Sequence, residues 1–234
     1  MTSRKAPILS APLVIFDLDG TMIDTAHDLI DSLNYTIAAR DLAPVTFEDL
    51  THLVGQGARV MIRRAFALRE QPIDDSEVES LLERFLGHYK EHMPGKSRAY
   101  DGLEACLDRL QAAGYAAAVC TNKMEELALP LLEKLSLTSR FSAITGGDTF
   151  AVRKPDAAHI LGTIERAGAL PARSIMIGDS INDIMAARNA GVPSIGVTFG
   201  YSDVPVAELK PDHVISHFDE LTPELVSGLL AHRN

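Results

Sequence analysis

Apolar positions change rhythm twice along this chain. Leu13-Val14-Ile15-Phe16 is an unbroken apolar run between Pro12 and Asp17, the pattern of a short strand buried on both faces. From residue 25 to about residue 94 the spacing turns helical. Leu29, Ile30, Leu33 and Ile37 mark one helix, closed by Pro44; Val60, Met61, Ala65 and Leu68 mark another. Val78, Leu81, Leu82, Phe85, Leu86 and Tyr89 line a third, with Ser76 as its expected N-cap and Pro94-Gly95 as its end.

From about residue 101 helix and strand alternate. Leu103, Leu107 and Leu110 set a helix that Gly114 stops, and a small-residue strand runs from Tyr115 to Cys120. Leu127, Leu131 and Leu135 set the next helix, before a strand at Phe141–Ile144. Ile160 and Ile164 belong to a further helix, then come the strand Ser174–Ile177 and a helix from Ile181 to Ala190 ended by Gly191. Ser194–Val197, an edge strand at Val214-Ile215 and a helix from Pro223 to Leu230 complete the pattern. Alternation on this scale predicts an α/β fold, a doubly wound parallel sheet with helices on both faces. The expected organisation is one core from residues 1–24 and 95–234, interrupted by an all-helical module at residues 25–94.

Composition narrows the functional classes. A net charge of -10 on 234 residues argues against a nucleic-acid footprint, which needs a basic stripe. Cys106 and Cys120 are the only cysteines and have neither metal-ligand spacing nor a partner framework, so a reduced, cytoplasmic setting is expected. No stretch is long enough to span a membrane, and none reads as a secretory leader. The eight histidines are scattered, with none paired to a nucleophile at useful spacing.

The polar residues that follow the strands carry the chemistry, because the crevice of an open parallel sheet lies at the strands' carboxyl ends. Asp17 and Asp19 follow the first strand, with Gly20 freeing the turn, and residues i and i+2 of an extended segment point the same way. Thr121 and Asn122 follow another, and Lys154 lies a loop beyond its strand. Asp179 ends a fourth, with Asp183 in the first turn of the next helix and Ser180 as its cap. Asp-Gly is also ordinary turn chemistry, Asp183 also compensates a helix dipole, and a single lysine is commonly a solvated surface residue. Together, three acids converging on one spot suit a hard oxygen-loving cation of the Mg²⁺ type. A carboxylate, a cation, a lysine and a hydroxyl are the parts that phosphoryl transfer through an aspartyl-phosphate needs.

Asp17-Leu18-Asp19-Gly20-Thr21, Thr121, Lys154-Pro155 and Gly178-Asp179-Ser180-Ile181-Asn182-Asp183 resemble the four ordered motifs of the haloacid-dehalogenase-like hydrolase superfamily. The resemblance spans nearly the whole chain. It implies a Rossmann-like core with a small helical cap, Asp17 as nucleophile and Asp19 as general acid and base. It implies Mg²⁺ held by Asp17, the backbone carbonyl of Asp19 and Asp179, with Asp183 ligating directly or through water. Thr121 and Asn122 would bind the transferring phosphoryl group and Lys154 would steady its charge. Val54-Gly55-Gln56-Gly57-Ala58, Cys120-Thr121-Asn122-Lys123 and Gly196-Val197-Thr198-Phe199-Gly200-Tyr201 are similar to the bacterial phosphoglycolate phosphatase branch. The implied substrate is a small phosphorylated metabolite, 2-phosphoglycolate first, whose carboxylate would meet Arg59, Arg63 or Arg64. Monomer and homodimer are both open. The alternatives are another sugar phosphate, pyrophosphate, a mutase exchange, or a receiver-type signalling module phosphorylated on aspartate.

Overall fold

The computed structural model describes residues 11–49 and 57–231. Among these, six strands form one parallel sheet in the order β5-β4-β1-β6-β7-β8. They are β1 Leu13–Phe16, β4 Ala116–Cys120, β5 Ala143–Thr145, β6 Ser174–Gly178, β7 Ser194–Val197 and β8 His213–Ile215. The first strand is therefore central: Phe16 sits in register between Val119 of β4 and Ile177 of β6. That position explains its unbroken apolar run, because a strand in mid-sheet with helices on both sides has no polar face to offer. Its alternate residues feed opposite cores. Leu13 and Ile15 pack with Ile160, Ile164, Ala186 and Ala187, whereas Val14 and Phe16 pack with Leu103, Leu107, Leu131 and Val226. The helices α6 (Ala157–Arg166) and α7 (Ile181–Ala190) thus cover one face. The other face carries α4 (Leu103–Ala112), α5 (Glu125–Lys134) and α8 (Pro223–Ala231).

A second, two-stranded ribbon was not legible in the sequence pattern. Ile23–Asp24, β2, pairs antiparallel with Arg98–Ala99, β3, and between them the described elements are helical. These are α1 (Ala26–Ile37), α2 (Ala58–Ala67) and α3 (Asp75–His92), with α1 and α3 packed along each other. Buried Asp28 at the start of this block accepts the backbone N–H groups of Lys96 and Ser97 at its end, at 2.8 and 3.1 Å, tying entry to exit. The expected cap of α3 needs correcting. Asp74, extended at φ -90°, is the N-cap and accepts the Glu77 N–H at 2.8 Å, while Ser76 is the second residue of the helix and its hydroxyl donates to Asp74. Strand β5 also begins two residues later than its apolar run suggested, because Phe141 packs against the core from a turn. Leu68 stands outside α2 and is 43% exposed.

Candidate active site

The end of β1 delivers Asp17. Its N–H makes a last rung of 2.9 Å to the Ile177 carbonyl, and the chain then turns at Gly20, whose φ of +79° suits glycine. The two acids of this turn face different partners. Asp17 Oδ1 lies 2.9 Å from Lys154 Nζ. Asp19 instead accepts the Thr25 hydroxyl at 2.7 Å and the Lys123 ammonium at 3.0 Å. The two acids line one cavity, but their carboxylates take different partners. The turn begins immediately after Asp17, so the two-residue alternation of a strand no longer governs Asp19.

Asp17, Asp179 and Asp183 form the acid group, offering carboxylate oxygens all within 4.8 Å of one another. Asp179 follows β6 and accepts the Thr21 hydroxyl and the Tyr201 N–H, each at 2.9 Å. Its surroundings exclude bulk: a Cβ added at Gly200 would stand 2.2 Å from the Asp179 Cβ. Asp183 lies in the first turn of α7, where Oδ2 accepts the Ser180 N–H and hydroxyl at 3.0 and 2.6 Å. Its Oδ1 takes the Lys154 ammonium at 2.6 Å, so both oxygens are engaged by the protein's own donors.

Lys154 is 2% exposed, and its ammonium also donates to the Cys120 carbonyl at 2.7 Å. Burial works against its charge, yet Asp17 and Asp183 push its pKa above the ordinary lysine value. The reverse holds for the acids. Burial, opposed by Lys154 and reinforced by Asp183, pushes Asp17 up to about 7. Burial and the Asp183 and Asp17 carboxylates push Asp179 up to about 8. Three buried carboxylates against one ammonium leave surplus negative charge, and Asp17 Oδ1 is buried with no aligned hydrogen-bond donor. An all-oxygen set of this kind fits a hard divalent cation.

Thr121 directly follows β4, bonded by its N–H to the Thr145 carbonyl at 3.0 Å, and its hydroxyl accepts the Lys123 N–H at 3.1 Å. Asn122 donates to the Lys154 carbonyl at 3.1 Å, which fixes the lysine loop against β4. Asp17, Asp19, Thr121 and Asn122 line a cavity of about 70 Å³ whose opposite wall comes from the helical block, through Arg59 and Phe85. Arg59 is held by Glu79 in a two-pronged pair at 2.6 and 2.8 Å, and Arg63 pairs with Asp75. Val54, Gly55 and Gln56 lie outside the described residues.

Lys123 was quoted within Cys120-Thr121-Asn122-Lys123 without a role of its own. Its ammonium sits between Asp19 and the ring of Tyr89 of α3, 4.4 Å from the ring centroid. Burial opposes the charge, but Asp19 and Tyr89 push the Lys123 pKa above its usual value. Tyr201 was likewise quoted without a role. Beyond its contact to Asp179, its hydroxyl donates to Asp24 at 2.7 Å and accepts the Ala26 N–H at 3.0 Å.

The family model for haloacid dehalogenase-like hydrolases matches residues 14–197. The phosphoglycolate phosphatase of Agrobacterium fabrum is 65% identical, covering 99% of this chain and 97% of that one. That of Mesorhizobium japonicum is 50% identical over 95% and 98% of the two chains. Among solved structures, a predicted phosphoglycolate phosphatase from Haemophilus somnus superposes with a TM-score of 0.84 at 31% identity, covering 90% of this chain and 96% of that one.

Proposed function

This chain belongs to the haloacid dehalogenase-like hydrolases, and from that premise we propose that it is a Mg²⁺-dependent phosphatase converting 2-phosphoglycolate and water to glycolate and phosphate. The observation that carries the reading is the contact of Lys154 Nζ with Asp17 at 2.9 Å and Asp183 at 2.6 Å, beside two further acids and a threonine at the strand ends. The substrate follows the phosphoglycolate phosphatases to which the chain is 50–65% identical.

A carboxylate oxygen of Asp17 attacks phosphorus while the bond from phosphorus to the glycolate oxygen breaks. Asp19 gives its proton to that leaving oxygen. Asp19 then takes a proton from water as the water oxygen attacks phosphorus and the bond to Asp17 opens, releasing phosphate. Thr121 and Asn122 hold the phosphoryl oxygens, and Lys154 offsets their charge and favours the ionised form of Asp17 against its burial. Asp17, Asp179 and the Asp19 carbonyl would hold Mg²⁺, with Asp183 reaching it directly or through water; the ion would supply positive charge against the carboxylates and the phosphate.

Residues 25–94 act, in this reading, as a cap domain on a catalytic core of residues 1–24 and 95–234. The pairing of β2 with β3 and the contact of Tyr89 with Lys123 support that division. A cap closing over this cavity would shut out bulk water and large esters. No helix among the described residues is long and apolar enough to cross a membrane, and we place the enzyme in the cytoplasm.

The test is phosphate release by purified protein from a panel of phosphate monoesters and pyrophosphate. Turnover that requires Mg²⁺, peaks in kcat/KM on 2-phosphoglycolate and vanishes in Asp17→Asn supports the reading. A higher kcat/KM on another ester overturns the substrate. A stable phosphoprotein without turnover overturns the phosphatase.

A further inference from the structure

A substrate with a phosphoryl group at one end and a carboxylate at the other needs a cation for each end. Most cations around the cleft are already matched. Lys154 is held by Asp17 and Asp183, Lys123 by Asp19, and Arg59 by the two oxygens of Glu79. Arg153 differs. It lines the same cavity, it is exposed, and no carboxylate among the described residues pairs with it.

Its position is set by rigid neighbours. Arg153 directly precedes Lys154, whose N–H donates to His159 Nδ1 at 3.2 Å and whose carbonyl accepts from Asn122 at 3.1 Å. The Arg153 carbonyl in turn accepts the Asp156 N–H at 2.9 Å. Lys154 turns inward to the acid group, and Arg153 reaches across the cleft towards the start of α2. There its Nη1 lies 3.3 Å from where a Cβ on Gly57 would sit. A guanidinium is a planar fork matched to a carboxylate, and an unpaired one at a cavity wall keeps its donors for a ligand.

We infer that Arg153 is the specificity-determining residue that pairs with the substrate carboxylate, in place of Arg59. The inference rests on the phosphoglycolate reading and assigns it a recognition group on the core side of the cleft. Gly57 serves it by leaving room for the guanidinium.

The experiment compares kcat/KM for 2-phosphoglycolate and for ethyl phosphate, which lacks the carboxylate, in wild type, Arg153→Ala, Arg153→Lys and Arg59→Ala at saturating Mg²⁺. In Arg153→Ala the preference for 2-phosphoglycolate falls by about 10- to 100-fold, the range of a charge-assisted contact, mainly through KM. Arg153→Lys falls by less, since the charge survives without the fork. Equal losses on both esters, or a preference kept in Arg153→Ala and lost in Arg59→Ala, overturn the inference while leaving the phosphatase reading intact. A wild-type enzyme with no preference for the carboxylate overturns this inference and the proposed substrate together.

Discussion

The Lys154 ammonium lies 2.6 Å from Asp183 Oδ1, with the two side chains 1% and 0% exposed. A buried ion pair gains little over an apolar replacement, but removal of one partner strands the other charge away from water. Lys154→Met should therefore lower stability by about 3–5 kcal/mol in urea denaturation. It should also lower kcat by about 10²- to 10³-fold, the usual cost of losing one charge stabiliser at a reacting centre. Unchanged stability would mean that Asp17 and Asp183 do not depend on this lysine.

The elevated acids make cation binding pH-dependent. Asp17 is pushed up to about 7 and Asp179 up to about 8, so the cation-free fold binds protons there more tightly than the unfolded chain does. Their contribution to stability is complete below about pH 4 and is lost as pH rises through 7 and 8. Mg²⁺ held there, as proposed, would compete with those protons, so its affinity should rise from pH 6 to pH 8 with proton release. Isothermal titration calorimetry in buffers of different ionisation enthalpy reads both. Affinity that is flat or falling across this range would remove Asp17 and Asp179 from the cation site.

Asp19 and Asp17 should separate in mutants. The Asp19 carboxylate is turned to Thr25 and Lys123, away from the acid group. Asp19→Asn should cut kcat by about 10²- to 10⁴-fold, the range for general acid–base groups. Mg²⁺ affinity should stay close to that of wild type. Lys123→Met should lower kcat in the same direction with KM little changed, because Asp19 loses the group that orients it. A Mg²⁺ affinity lost together with kcat in Asp19→Asn would contradict this division of labour.

Gly200 tests the crowding around Asp179. A Cβ there would stand 2.2 Å from the Asp179 Cβ and 2.4 Å from its Oδ2, so Gly200→Ala must displace the carboxylate. Mg²⁺ affinity should drop by roughly tenfold or more, the scale seen when groups supporting metal ligands are disturbed. Gly87 in α3 is the control, with nothing within 4 Å of an added Cβ. Gly87→Ala should raise stability by about 0.5–1 kcal/mol through helix propensity, without changing Mg²⁺ affinity.

Much of the architecture was readable as rhythm. The unbroken run Leu13–Phe16 announced a buried strand, and the alternation after residue 101 announced a parallel sheet. Short elements escaped: β2 and β3 have two residues each, too few for any periodicity to register. The cap of α3 was misplaced by two residues because Asp74, Asp75 and Ser76 are all chemically competent caps, and only the extended backbone of Asp74 distinguishes it. Lys123 was given no role because a lysine after a strand has no distinguishing local pattern; its burial against Asp19 and Tyr89 is what marks it.

By itself the sequence determined which chemical groups stand at the carboxyl ends of which strands, since hydrophobic periodicity sets strand ends and a parallel sheet gathers those ends along one edge. Tertiary structure alone decided how those groups pair. Asp17 and Asp19, two residues apart, were sent to separate lysines, one of them 104 positions away from Asp19. Arg59 was given to Glu79 while Arg153, beside Lys154, was left facing the cleft. Partnership between charges depends on distances of a few ångströms across a packed interior and on the water excluded from it, and neither quantity is written in the spacing along the chain.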